Sequence, residues 1–444
     1  MRSLRYIWRL IVAFIAKFRF LLFFGIVIGL IAFVVITRIF PLLLSGSSER
    51  IGLTGRVRPE SLPDEIVQYL SDGLTQLDET GAPMPSLAER WEVSEDGKTW
   101  TFHLRDNTFW QDGKKVESYD IKYPFTDVTV ETPDEKTIIF KLQNSFSPFA
   151  SVVARPVFKK GLLGTGDWRV VSRGLRLAGT YVQSLTLMDS AKNKKIFKFY
   201  PTEERAKLAF KLGSVDRVSG VFSAKPFDAW RNVEIGENIN KNEYVGIFLN
   251  TKDPLLSEKG LRQALAYGID KAALGIPRAL SPISTNSWAF NPQVKPYIFD
   301  VERAKELVKD LPNEQKDALN IKLVTTATLL DKAEMVSSNW NEIGVKTEVQ
   351  VTSSIPEDFQ ALLAIFDIPK DPDQYSVWHS TQIEAQSNIT KLSNPRIDKL
   401  LEDGRTVLSQ AERKNIYLDF QRFLVEESPA IFLYHPITYT ISRK

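Results

Sequence analysis

The sequence predicts an α/β protein of two or three domains behind one apolar N-terminal helix. Three observations carry that reading. At 444 residues the chain is too long for one ordinary compact domain, and its hydrophobic share of 43% is that of a globular protein with a sizeable core. The first half after residue 50 is rich in short strand patterns, whereas the second half alternates helical stripes with strands, as βαβ units do. Residues 1–50 differ from both in charge and hydropathy.

In that first segment seven Lys/Arg (Arg2, Arg5, Arg9, Lys17, Arg19, Arg38, Arg50) face Glu49 alone, an excess of +6 within a whole-chain charge of +3, so the remainder sums to −3. A near-neutral body argues against a nucleic-acid partner, which needs a concentrated basic surface. Phe18 to Thr37 has about the length of one membrane-spanning helix, with Arg19 near its start and Arg38 able to lift its charge to the interface. Cations ahead of the apolar core put the N-terminus in the cytoplasm and the large C-terminal portion outside. A cleaved signal peptide is the competing reading, but the segment is long for an h-region and lacks an A-x-A site before Ser45-Gly-Ser-Ser48. The chain has no cysteine, which rules out disulfides and a lipidated Cys without fixing the compartment. Residues 1–44 are therefore read as a single-pass cell-membrane anchor, 45–50 (SGSSER) as a flexible linker, and Ile51 as the start of the folded part.

The body opens with a hairpin in residues 87–110. A turn at Asp96-Gly97 sets Trp91 opposite Phe102 and Val93 opposite Trp100, making one face apolar while Thr99, Thr101, His103 and Arg105 point away. Strand patterns follow at Thr137–Leu142 and Tyr244–Asn250. Leu261, Ala264, Leu265 and Ile269 form a helical stripe, and Ala304, Leu307, Val308 and Leu311 another behind an Asp300 N-cap. Residues 319–351 read as βαβ: a strand LNIKLVTTA, a helix with Ala333, Val336, Trp340 and Ile343 on one face, Gly344 as its C-terminal cap, and a strand returning parallel to the first. A last long helix carries Ile416, Phe420, Phe423 and Leu424, and AIFLYH follows as a buried strand. There is no internal repeat.

The hairpin block LAERWEVSEDGKTWTFHLRDNTFW, with Trp110-Gln-Asp-Gly113 after it, closely resembles a segment of the extracellular solute-binding proteins of family 5, the peptide-binding receptors of ABC importers. Further blocks resemble the family in the right order across residues 62–440. They are Gly164-Thr-Gly-Asp-Trp168, Lys211-Leu-Gly-Ser-Val-Asp216, Phe248-Leu-Asn250 with Leu261 to Asp270, Tyr297 to Leu307, Asp371-Pro-Asp-Gln-Tyr375 with Trp378-His-Ser-Thr-Gln382, and Asn394-Pro-Arg-Ile-Asp398. The resemblance implies a two-lobed periplasmic-binding-protein type II fold with mixed sheets and an interlobe cleft. Lobe I would span 51–246, lobe II 247–430, and 431–444 would return a strand to lobe I. Asp120 to Phe125 runs almost directly into the next strand pattern, so lobe I's small subdomain would be reduced. The family often holds a peptide's α-amino group with an aspartate a few residues before the Pro of the Asp-Pro block; at that spacing from Pro372 this chain has Ile368, with Asp367 adjacent.

On that resemblance the candidate ligand-binding residues are Trp288, Asp367, Asp371, Asp373, Trp378, His379 and Ser380. Partly desolvated carboxylates attract an ammonium group, and an aromatic wall beside hydroxyl and imidazole groups suits a peptide pocket. Each has a plainer alternative: Asp371 and Asp373 as turn residues around Pro372, and Trp288, Trp378, His379 and Ser380 as packing or bridging groups. Trp91, Trp100 and Trp110 are read as core, and Gly164 and Gly166 as turn glycines. Catalytic signatures are missing: the three histidines are far apart, there is no thiol, and no GxSxG elbow occurs. No cofactor is implied. The expected function is a receptor that closes on a peptide or peptide-like solute and presents it to an ABC permease with its ATPase. The alternative is a surface sensory or interaction protein on the same scaffold without transport.

Overall fold

The computed structural model describes residues 2–34, 46–176, 179–316, 319–354 and 356–444. It divides into two compact units, Met1–Glu60 with Asp167–Arg217 and Ser61–Gly166 with Val218–Lys444.

In the first unit Arg2–Val34 is helical apart from Phe18 (φ −110°, ψ 16°), and its apolar side chains Phe20, Phe23, Phe24 and Phe33 are exposed. Among the described residues no single helix is long and apolar enough to cross a membrane; Ala13–Leu21 and Phe23–Val34 meet that test only together, bent by 52°. The expected span Phe18–Thr37 extends past Val34, and its residues 35–37, like Ser45 of the linker, lie outside the described residues. A sheet follows in which Ser48–Thr54 runs parallel to Lys194–Tyr200, then Tyr181–Met188 and Arg169–Arg176 continue antiparallel. Ser48, Glu49 and Arg50, assigned to the linker on composition, are thus strand residues opposite Lys194, Lys195 and Ile196. The Lys211–Asp216 block explains this anchoring. The helix Glu203–Lys211 ends where Gly213 takes φ +74°, and the chain then brings Asp216 against Arg50. Its carboxylate accepts from Arg50 Nε at 3.0 Å, Nη2 at 2.6 Å and the backbone N–H at 3.0 Å.

The second unit contains two separate cores. Ala88–Val93, Thr99–Leu104, Thr137–Leu142 and Val128–Asp134 form an antiparallel sheet in that order. The hairpin has the expected register, Trp91 opposite Phe102 and Val93 opposite Trp100, with Gly97 at φ +68° in the turn. Trp100, Phe102, Leu104, Ile138, Phe140 and Phe149 are buried together, and Trp110 closes the core with its Nε1 donating to Asp120 at 3.0 Å. Trp91 is only half-buried against this cluster and Val93 is exposed, so the apolar face is covered less fully at its outer strand than alternation suggested. Val128–Asp134, not anticipated, is inserted between the Asp120 region and Thr137–Leu142 and pairs with the latter.

The larger core surrounds a five-stranded sheet ordered Lys346–Thr352, Asn320–Thr326, Ala361–Asp367, Glu243–Leu249 and Ala430–Tyr434. Asn320–Thr326 and Lys346–Thr352 are parallel, joined through the helix Leu330–Glu342, which buries Ala333, Val336 and Trp340. Gly344 at φ +86° ends that helix, the left-handed conformation a C-terminal cap requires. Asp300 caps Val301–Lys309 by accepting the Arg303 N–H at 2.9 Å. In Gln410–Glu427 the buried face carries Tyr417 rather than Ile416, and also two polar residues, Arg413 and Gln421.

Two neighbouring crossovers leave this sheet. Val233–Ile239 pairs antiparallel with Ile437–Arg443, and after 240–242 and 435–436 the same two chain segments pair again as Glu243–Leu249 with Ala430–Tyr434. The crossovers are joined by the Asn240 N–H on Pro436 O at 2.9 Å and by His435 Nδ1 on Glu243 O at 2.7 Å. The sequence boundary at 246/247 therefore falls inside a strand, and that at 430/431 at the start of one.

Candidate functional site

A cleft of about 1070 Å³ opens in the second unit, between the part containing residues 64–86 and 151–156 and the part containing Asn242, residues 284–287 and 368–371. One wall begins at the helix Asp64–Leu70 and continues through a two-stranded ladder, Thr75–Leu77 against Pro83–Pro85. The ladder's chemistry is dictated by its prolines. Pro83 and Pro85 have no N–H, so the exchange of backbone hydrogen bonds falls on Gln76 and Met84, and it recurs two residues on, where the Asp78 N–H reaches Ala82 O at 2.9 Å. The alternation then turns the backbone groups of Thr75 and Leu77 to the other edge. There the Thr75 N–H meets Val153 O at 3.5 Å, and Thr75, Gln76 and Leu77 line the cleft.

The ladder ends in a tight turn. Asp78 Oδ1 accepts from Thr80 Oγ1 at 2.7 Å, the Thr80 N–H at 2.8 Å and the Ala82 N–H at 2.9 Å, while Gly81 takes φ +83°. These bonds, the Thr80 hydroxyl first, hold the Asp78 carboxyl below its ordinary value. Asp64, Asp72 and Glu79 add carboxylates to the lining, against the cations Arg155 and Lys370. Asp64 and Lys370 form an ion pair at 2.6 Å.

Of the seven residues expected from sequence, Asp371 alone lines this cleft. Its carboxylate accepts from Arg413 Nη2 at 2.8 Å, from Ser151 Oγ at 2.9 Å and from the Asp373 N–H at 2.9 Å. Asp373 is held by Arg405 Nε at 2.9 Å. Asp367 ends its strand exposed, opposite Glu243, whose carboxyl is pushed up by burial and then by the Asp367 charge. Trp378 is 1% exposed, deep in the larger core, with Nε1 on Gln374 at 3.3 Å. His379 is buried, stacked on Tyr375 at 4.0 Å and bonded through Nδ1 to Thr381 at 2.8 Å. Ser380 donates its N–H and hydroxyl to Asp398 at 2.9 and 2.6 Å. Trp288 is half-buried beside Tyr417 and Arg413, and its backbone N–H reaches Thr80 O at 3.1 Å. Asp373, Trp378, His379 and Ser380 lie outside the cleft lining, held by the partners just named.

The lining residues sequence reasoning missed are mostly small or polar, among them Thr75, Gln76, Thr80, Gly81, Ser151, Asn242, Ser284, Asn286 and Ser287. The available signal was the pair Pro83 and Pro85, which fixes which backbone groups of a short ladder turn away from the partner strand. Gly164 and Gly166 pack closely on the preceding backbone, where a Cβ would collide with the carbonyl oxygens of Leu70 and Tyr69 respectively. Arg262, buried, spends its guanidinium on the carbonyls of Leu256, Ser257 and Glu427.

Comparison with known proteins agrees with this architecture. The family described as "Bacterial extracellular solute-binding proteins, family 5 Middle" matches residues 82–382. The chain is 22% identical to the dipeptide-binding protein of Escherichia coli K12, over 81% of this chain and 82% of that one. Among solved structures it is similar to NikZ of Campylobacter jejuni in complex with Ni(L-His), with a TM-score of 0.73, 21% identity and coverage of 89% and 94%. It is also similar to the ABC transporter substrate-binding protein CtaP of Listeria monocytogenes, with a TM-score of 0.75, 21% identity and coverage of 90% and 94%. These likenesses show the mixed α/β, two-lobed periplasmic-binding-protein fold. The chain belongs to the bacterial extracellular solute-binding proteins of family 5.

Proposed function

We propose that the chain is the solute-binding receptor of an ABC importer, taking a peptide or peptide-like solute into the cleft of the second unit by hinge closure and delivering it to the permease. The observation that carries this reading is the polar cleft of about 1070 Å³, lined by Gln76, Leu77 and the Asp78–Gly81 turn on one wall and by Asn242, Ser284 and Lys370 on the other. An extended chain laid along the first wall can reach the outward backbone of Leu77, which gives affinity without demanding particular side chains. The dipeptide-binding relative supports the ligand class, and the likeness to CtaP, an ABC transporter substrate-binding protein, supports the transporter partner. Closure would turn on the paired crossovers 240–242 and 435–436, since two short adjacent segments can absorb a rotation that the sheets on either side cannot. Ligand contacts to both walls would favour the closed state by their difference in binding energy between states. Transport energy would come from the partner ATPase.

The apolar segment within residues 1–44 would hold the receptor at the cell membrane with its binding domain extracellular or periplasmic, raising its effective concentration at the permease. Asp371 would act on the solute through the fixed charge of its Arg413 pair, not as a free carboxylate. The test is a thermal-shift titration of the full chain against random di-, tri- and tetrapeptide pools. Binding to the native state must raise the melting temperature, by about 2.7 kcal/mol of added stability at a hundredfold excess over Kd. No shift with any pool at millimolar concentration would end the peptide reading.

A further inference from the structure

The near-neutral charge of the folded chain conceals an asymmetry. Residues 46–60 and 167–217, the folded part of the first unit, carry 14 Lys/Arg against 7 Asp/Glu, a net +7, while the second unit sums to −10. Part of that excess is gathered where the N-terminal segment enters the sheet. Gly46 packs on the backbone of Lys192 and Asn193 too closely for a Cβ, Ser47 donates its N–H and hydroxyl to Asn193 Oδ1 at 2.9 and 3.0 Å, and Ser48 then opens the first strand. The ladder sets Ser48, Lys194, Met188 and Arg169 abreast, with Lys192 in the adjoining turn. Arg169, Lys192 and Lys194 are exposed and, among the described residues, form no ion pair. The turn's own acid, Asp189, is spent on the Asn193 N–H and Nδ2, both at 2.8 Å. The helix Glu203–Lys211 points its C-terminal end the same way, since the chain reaches Glu49 through Arg217 at 2.7 Å soon after it. That end leaves Lys211 exposed together with Leu208 and Leu212, the two leucines by 50% and 71%.

We propose that this end of the first unit docks on anionic lipid headgroups of the membrane that holds the N-terminal segment. The inference rests on the anchor reading and adds to it a second contact and a lipid class. A cation held near a negatively charged bilayer is stabilised by the surface potential, each one strengthening attachment about fivefold, and the attraction fades within a Debye length of about 10 Å. Charge alone would serve any acidic partner. Leu208 and Leu212 narrow the choice, because apolar side chains exposed among cations gain most at the headgroup boundary, where phosphate and hydrocarbon are both within reach. The tether supplies proximity: residues 35–45 separate the N-terminal helix from Gly46, a reach of at most about 40 Å, so the contact forms within one molecule and weak attractions suffice. Docking would fix the orientation of the first unit on the bilayer, which a tether alone would leave free to rotate.

The experiment uses the full chain, whose lack of cysteine lets one introduced thiol carry a fluorophore. Ser190→Cys reports the turn beside Lys192, and Thr54→Cys reports the far end of the strand that Ser48 opens. Each labelled chain is reconstituted in lipid nanodiscs containing a headgroup spin label as quencher, made of phosphatidylcholine alone or with about 30% phosphatidylglycerol. With phosphatidylglycerol the Ser190 label is expected to be quenched at least about threefold more than the Thr54 label. That difference should shrink to within about 1.5-fold in phosphatidylcholine alone, and also in about 0.5 M salt, a control that needs no further variant. Replacing Arg169, Lys192 and Lys194 together by Gln should remove at least about half of it, and these exposed side chains can be changed with a melting temperature within about 2 °C of wild type. Equal quenching at the two sites, or a Ser190 signal indifferent to phosphatidylglycerol or to the triple substitution, would overturn the docking while leaving the anchor intact. Failure of the chain to enter discs of either composition would refute the anchor reading itself, and the docking with it.

Discussion

Asp371→Asn separates a bracing role from a ligand-contacting one. The Asp371 and Arg413 side chains are 11% and 7% exposed and meet at 2.8 Å, so the variant would leave a buried guanidinium with, among the described residues, only Gly404 O and Tyr417 Oη as hydrogen-bond partners. Removing one member of a buried pair costs about 3–5 kcal/mol. The asparagine oxygen can still accept from Ser151 or the Asp373 N–H, which puts the expected loss near the lower end, about 3 kcal/mol. For a unit of this size about 2 °C accompanies each kcal/mol, giving a drop of roughly 6 °C in thermal denaturation of the full chain followed by tryptophan fluorescence. Arg413→Met should be similarly damaging because it strands the carboxylate. The double variant should recover a large part, with a coupling energy of at least about 2 kcal/mol. A melting temperature within about 1 °C of wild type, combined with loss of peptide affinity, would show that Asp371 contacts the solute directly and that the pair with Arg413 is incidental.

Three further outcomes follow from the same structure. Asp216→Ala should destabilise the first unit through loss of the Arg50 contacts. Both side chains are 40% and 33% exposed, so solvent screening limits the effect to about 1 kcal/mol, read as a lower denaturation midpoint. Gly344→Ala forces an alanine into φ +86° with no contact to gain, and should cost about 1–2 kcal/mol in urea unfolding; an unchanged midpoint would contradict the cap. His435, buried at the crossover, has its pKa pulled below 6.5 by burial, so the unfolded chain binds its proton more readily than the native one. Stability is then full above about pH 6.5 and declines as pH falls toward the lowered value. His435→Gln should flatten this part of the melting-temperature profile between pH 5 and 7, and an identical slope in both proteins would count against it.

Legibility followed the range of the interactions. The hairpin register, the parallel βαβ unit and the Gly344 cap were readable because each is settled within about thirty residues by periodicity and turn chemistry. Val128–Asp134 escaped because Pro133 and its charges mask an edge strand, which the ladder accommodates with an irregularity between Glu131 and Asp134. At the site, Asp371, Asp373 and Ser380 carry groups suited to a ligand, but what consumes those groups is distant. Arg413, Arg405 and Asp398 lie 42, 32 and 18 residues away in sequence. The cleft wall was illegible for the opposite reason. Its Ser, Thr, Asp and Gly residues sit in a three-residue ladder and short loops, where no periodic pattern can accumulate.

The twin crossovers also govern how the chain can be assembled. They bring together backbone that is distant in sequence: Glu243 and His435 are 192 residues apart. During synthesis from the N-terminus, Glu243–Leu249 emerges long before Ala430–Tyr434 can cover its free edge, and Val233–Ile239 waits still longer for Ile437–Arg443. Loop-closure entropy makes such late, non-local pairing slow. For that interval the apolar edge of Glu243–Leu249 is exposed to self-association, so this protein should depend on a holding chaperone until residues 430–443 arrive.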